Sequence, residues 1–324
     1  MRKLLLSGLI VILAAACTKK DVQLVRQYLE KNKCSVVSIN ADKQNTNNFF
    51  MIKTFNENRI LTHIKFQVND VYGVLNRFDY AISYGQDRVI FKGITKGFNW
   101  VPETEAEFPT PPDPDAPYHL EEILEMRDTR DFEILLHHKS HYPVEVRYLQ
   151  TGESVLKLEY NNRGFLSKVV SKIGLFNVTT DNRGNILTIL TPPLVEEEPY
   201  YGPQQLGITN TYSDKNTSRN TNMFYETPTL FISPMYSLVE LLNWGPFQPD
   251  RERIHVSLQH RYGEEYLPSP TMDAAYSNHQ YDRNGNLVRY DFEGDIRQAI
   301  PYEGTIVKKD QRSITWQCSG RPVK

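Results

Sequence analysis

Arg59-Ile60-Leu61-Thr62-His63-Ile64-Lys65-Phe66-Gln67-Val68 places Ile60, Thr62, Ile64, Phe66 and Val68 on one side of an extended chain. His63, Lys65 and Gln67 fall on the other side. A period of two marks a strand with one dry and one wet face. The pattern returns as Val144-Val146-Tyr148 against Glu145-Arg147, and as Leu156-Leu158-Tyr160 against Val155-Lys157-Glu159. It returns again as Val288-Tyr290-Phe292 against Leu287-Arg289-Asp291. These stretches predict an all-β body: an antiparallel meander, a curved sheet or partly closed barrel, with a few short helices. The charged outer faces and a mean hydropathy of −0.51 argue against a wall that faces lipid.

The corners between strands repeat. Tyr160-Asn161-Asn162-Arg163-Gly164-Phe165-Leu166 is followed by Thr180-Asp181-Asn182-Arg183-Gly184-Asn185-Ile186 and by Tyr281-Asp282-Arg283-Asn284-Gly285-Asn286-Leu287. Asn or Asp opens each turn by accepting bonds from its own backbone, and Gly three residues later takes the left-handed conformation that closes a hairpin. Tyr84-Gly85-Gln86-Asp87-Arg88-Val89 reads as a degenerate relative. Two proline-rich, acidic interruptions predict long surface loops at 101–117 and 191–222, since proline cannot donate to a strand ladder. Asp21 to Lys33 and Pro234 to Asn243 carry helical spacing and capping residues.

The chain begins with Arg2 and Lys3, an apolar run from Leu4 to Leu13, and the small residues Ala14, Ala15 and Ala16. That is the layout of an export signal, too short to span a bilayer. Cys17 after the small residues resembles the lipobox of bacterial lipoproteins, in which the cysteine becomes an acylated N-terminus; Ala14 stands where that motif more often has leucine. The expected organisation is a lipoprotein signal peptide over 1–16, a tether and short helix over 17–33, and a single β domain over 34–324. Thr18 is not the aspartate of an inner-membrane retention signal, so the expected location is the outer membrane, lipid-anchored, facing the periplasm or the surface. With 37 Lys and Arg against 39 Asp and Glu, the chain has no basic footprint for nucleic acid.

The acylated N-terminus, the tyrosine-and-glycine hairpins, the Pro234 to Asn243 segment before Gly245-Pro246-Phe247 and the terminal Thr315-Trp316-Gln317-Cys318 together resemble Bacteroidota lipoproteins with a porin-like β domain of unknown function. The hairpins also look like YD repeats of surface proteins, with too few copies for a toxin shell. The resemblance implies a fold and brings no catalytic residue with it.

Candidate chemistry is sparse. Cys34 and Cys318 either bridge, as an oxidising envelope permits, or remain buried thiols. His137, His138 and His141 lack a matching acidic or cysteine ligand nearby, and a solvated strand end explains them better than zinc. Asp282, Asn284, Asn286 and Glu293 fit positions of a calcium loop, but Leu287 stands where that loop needs glycine. No metal and no cofactor is expected. The carboxylates of 102–117 and Glu196 to Glu198 would suit a carbohydrate-active hydrolase, the alternative reading. No nucleophile elbow or phosphate loop occurs. The stronger lead is aromatic: Trp100 with Phe98, Tyr200, Tyr201, and Trp244 with Phe247 lie in or beside long loops. Flat rings flanked by Asn, Asp and Gln suit sugar faces or protein partners, although core filling explains Trp100 or Trp244 alone. The expected function is therefore a non-catalytic binding or structural component of the envelope, attached to the membrane through Cys17 and meeting a glycan or an envelope protein.

Overall fold

The alternating stretches become strands that run up and down with no crossover. A computed structural model describes residues 34–41, 50–58, 60–69, 75–102, 118–140, 142–192, 205–213, 252–261, 272–297 and 305–318. The strands are Cys34–Ala41 (β1), Phe50–Phe55 (β2), Leu61–Asn69 (β3), Leu75–Tyr84 (β4), Arg88–Pro102 (β5) and Tyr118–Asp128 (β6). They continue as Phe132–Leu136 (β7), Pro143–Tyr148 (β8), Ser154–Tyr160 (β9), Leu166–Ser171 (β10), Gly174–Thr180 (β11) and Ile186–Leu190 (β12). Gln205–Tyr212 (β13), Arg253–Arg261 (β14), Met272–Tyr281 (β15), Leu287–Arg297 (β16) and Thr305–Cys318 (β17) complete the set.

Every pairing is antiparallel, each strand lies beside its sequence neighbour, and β1 closes the ring by pairing with both β2 and β17. Two successive pieces, β6 and β7, both pair along the long β5 and form one interrupted stave, so the wall is a closed barrel of 16 strands. The seam runs from Cys34 opposite Cys318 to Ala41 opposite Arg312. This resolves the expected curved sheet or partly closed barrel in favour of full closure. The described residues contain no helix, and the segments expected to be helical, 21–33 and 234–243, lie outside them.

The polarity of the wall follows the alternation. Ile39, Ile64, Phe66, Phe78, Phe91, Val146, Val169 and Phe176 are fully buried on the inner face. All strands except β6 contribute to one continuous apolar cluster. Phe66 stacks on Phe78 at 4.1 Å, and Phe91 on Phe132 at 4.7 Å. The outer face carries cross-strand ion pairs such as Lys65 with Asp79 (2.8 Å) and Lys168 with Glu159 (3.3 Å). Large exposed apolar side chains among the described residues are scattered: Ile52, Leu124, Ile173, Leu175 and Ile254. A wall sitting in lipid needs a continuous outward apolar band, and these five do not form one.

Four corners share one device. Asn56, Asn161, Asp181 and Asp282 each accept, through Oδ1, the backbone N–H groups two and four residues ahead. Gly164, Gly184 and Gly285 take φ of +80°, +94° and +79°. Asn56 is a copy that its sequence conceals, because no glycine follows it. The corner at Gly85 differs: it closes by Gly85 N–H donating to the Arg88 carbonyl (2.9 Å).

Two boundaries depart from expectation. Val101 and Pro102, expected within the first loop or at its start, are paired in β5 with His119 and Tyr118. The second, expected over 191–222, contains β13, whose Ile208, Asn210 and Tyr212 point inward and are buried. Asn210 hides the pattern by being polar; inside, its Nδ2 donates to the Ile186 carbonyl (2.9 Å) while its buried Oδ1 has no hydrogen-bond partner among the described residues.

Replacing Asp282 by Ala removes three accepted hydrogen bonds and should lower stability by about 1–2 kcal/mol in urea unfolding. Asp282→Asn should retain most of it, since Asn161 performs the same task.

Candidate functional site

The two rims of the barrel are unlike. The chain enters at Cys34 and leaves at Cys318 on one rim, called here the near rim. There the corners 56–60, 85–87, 137–142, 161–165, 181–185 and 282–286 are short, and 213–252 alone is long. The connections 42–49, 70–74, 103–117, 191–204, 262–271 and 298–304 all join strand ends at the far rim, with short corners only after β8 and β10. Loops on a rigid scaffold are where recognition is usually built, so the far rim is the candidate surface.

A two-stranded ribbon of β5 and β6 rises from this rim. At the far rim β4 begins opposite Phe98, while β5 continues through Asn99 to Pro102 paired, among the described residues, only with β6. At about 3.3 Å per residue, four residues carry this two-stranded ribbon roughly 13 Å beyond β4. The register slips within it: Gly97 pairs with Ile123 and Thr95 with Asp128, leaving Leu124 to Arg127 opposite Lys96. Gly97 is required here because a Cβ would stand 2.8 Å from the Met126 Cβ and Sδ. Lys96 Nζ donates to Glu122 Oε2 at 2.8 Å, and this bond holds the Glu122 carboxyl below the usual carboxylate range. The Arg77 guanidinium lies 4.8 Å from the Phe98 ring centre and donates to Gln67 Oε1 (2.8 Å). Phe98, expected to be exposed, is therefore buried on the outer face beneath a cation, at 8 % exposure.

Three further polar groupings bear on stability. On the outer face Glu133, only 4 % exposed at its side chain, accepts from Arg147 Nε (2.6 Å) and Arg88 Nη1 (3.1 Å). Burial pushes its carboxyl up, but the two guanidinium bonds outweigh that and hold it below the ordinary range. Near the other rim, a bulge in β15 sets Asn278 at φ 51° and lays His279 over Tyr290. Burial is the main cause that lowers the His279 pKa, against the opposing pull of Glu252 and a hydrogen bond to Arg253 backbone. Inside the wall, Lys53 is drawn down to about 8 by desolvation, and Arg312 is fully buried 5.1 Å from the Phe292 ring centre.

The residues singled out in the sequence fall as follows. Trp100 stands on β5 in the ribbon, in register with Leu120. Tyr200 and Tyr201 lie outside the described residues, in a connection that leaves and returns at the far rim. Trp244 also lies outside them, in the connection 213–252 whose ends are at the near rim. Topology therefore puts Trp100 and the ends of the connection bearing Tyr200 and Tyr201 at one rim, and the ends of the connection bearing Trp244 at the other. Cys17 is outside the described residues. Cys34 faces Cys318 across the seam, and the Cys318 sulfur is disulfide-bonded. His137 acts as a corner acceptor for the N–H groups of Lys139 and Ser140, and His141 lies outside the described residues. Asp282 spends its carboxylate on its own turn, and Glu293 pairs with Lys309 (2.8 Å). Among the described residues no group of three His, Cys, Asp or Glu gathers as a metal site. The carboxylates of 103–117 and 196–198 lie outside them.

No protein-family model matches the chain, and no curated protein matches it. A solved structure of a porin-like protein from Bacteroides uniformis ATCC 8492 is similar over 87 % of this chain and 96 % of its own, with 10 % identity and a TM-score of 0.43.

Because the folded pKa of Glu133 lies below its unfolded value, its stabilisation is present above about pH 4.5 and is lost as pH falls through the folded value. Glu133→Gln should cost about 1–3 kcal/mol at pH 7. It should also flatten the loss of stability between about pH 5 and 3, as read by thermal unfolding across that range.

Proposed function

We propose that this chain is a non-catalytic envelope protein, held at the outer membrane by a lipid on Cys17, that meets a glycan or a partner protein with its far rim. The observation that carries this reading is the polarity of the wall: apolar side chains point inward and ion pairs point outward. Such a wall gains nothing from lipid, because each outward charge would have to be desolvated. Attachment then falls to a device outside the barrel, and Cys17 after Ala14-Ala15-Ala16 is the residue suited to it.

The direction of display follows from topology. The tether from Cys17 leads into β1 at the near rim. Its length, about 17 residues, would span at most roughly 55–60 Å when extended. The far rim, with Trp100 and the connection bearing Tyr200 and Tyr201, then stands away from the membrane. A Cys34–Cys318 bridge would staple the seam where the chain enters and leaves, and the register across β1 and β17 supports it. A bridge closing so long a loop stabilises by about 2–4 kcal/mol.

Mass spectrometry of the chain isolated from membranes should find an N-terminus at residue 17 carrying acyl mass, and Cys17→Ser should move the protein to the soluble fraction. An unmodified thiol at Cys17 would refute the anchor. Glycan arrays and cross-linking at intact envelopes should give a ligand whose binding is lost with Trp100→Ala; absence of any ligand in both would leave only a structural role.

A further inference from the structure

Closing a sheet into a barrel removes its edges, and among the described residues β6 is where that rule fails. One side of β6 pairs with β5, and among the described residues no strand pairs with its other side. The neighbouring wall strand β8 pairs only with β7 and β9 and stops at Tyr148, opposite Phe132, below the ribbon. An open edge carries a row of backbone donors and acceptors ready for another extended chain. Leu124, on this strand, is 69 % exposed, and Glu121 and Glu125 beside it are exposed.

The chemistry of the edge selects its occupant. On β6 itself the exposed Glu121 and Glu125 have no ion pair among the described residues, whereas Lys96 holds Glu122 (2.8 Å) and Arg130 holds Asp128 (2.7 Å). Charge on an edge ordinarily guards against pairing with copies of itself. Here the two exposed carboxylates, Glu121 and Glu125, share one sign, so a second copy of β6 is repelled while a strand of the opposite sign is drawn in.

We propose that the free edge of β6 takes up an extended basic segment of a partner protein as an added strand, with Leu124 giving one apolar contact. This deepens the far-rim reading by naming the partner's chemistry. It does not depend on the acyl anchor, so the two fail in separate experiments.

The test uses the full-length protein in detergent and a fluorescein-labelled ten-residue peptide of alternating Lys and Val. A twin peptide, N-methylated at every second backbone nitrogen, keeps the charge and loses one row of donors. The unmodified peptide should bind at least about tenfold more tightly than the twin and should protect amides in 118–127 from hydrogen exchange. Glu121→Lys with Glu125→Lys should weaken it at least about tenfold, and Leu124→Pro should do the same while circular dichroism stays unchanged. Equal affinity for both peptides would mean charge attraction alone and would overturn the proposal. So would protection elsewhere in the chain, absence of binding, or dimers of the protein joined through β6.

Discussion

Everything in this molecule depends on the pairing of its first strand with its last. Once β1 lies against β17, the sheet has an inside, and each alternating strand must choose which set of side chains faces it. The apolar set goes inward because nothing outside the wall would cover it. The seam joins residues almost a whole chain apart, Cys34 with Cys318, so it forms against a large closure entropy that grows only slowly with loop length. A staple at that point, and buried anchors such as Ile314 and Trp316, whose indole donates to the Leu287 carbonyl (2.6 Å), are where reinforcement is worth most.

Strands with strict alternation were legible from residues alone. Ile64 and Phe66 are buried, as are Val146 and Leu158, while Lys157 and Glu159 face water. Closure was not legible, since a curved sheet and a barrel have the same local pattern and differ only in whether the ends meet. Strand β13 was missed because Thr209, Asn210 and Thr211 look like loop, and the Ile186 carbonyl that takes the Asn210 amide lies on another strand. The corner at Asn56 was missed for a related reason: its acceptor does the work, and the glycine that advertises the other corners is missing. Gln67 is the opposite surprise, a residue of the wet face that is buried and bound to Arg77.

The far rim was half legible. Its acidic and aromatic connections stand in the sequence, but that they begin and end at one rim is a product of strand direction. Phe98 shows the limit most clearly. Beside Trp100 in sequence it looks like part of an exposed patch, and in the fold Arg77 covers it. That β6 would be left with an open side depends on the length of β8, a strand encoded elsewhere in the chain. No reading of 118–128 alone reveals it.

The most direct measurement is accessibility of single nitroxide labels at Lys157, Leu158 and Glu159, taken with the full-length protein on liposomes. A closed wall with a dry centre predicts that a water-soluble nickel complex reaches 157 and 159 and that neither this complex nor lipid-dissolved oxygen reaches 158. Strong collisions of oxygen at 158, with 157 and 159 shielded from bilayer and lining a wet lumen, would mean the wall stands in the membrane with its faces exchanged.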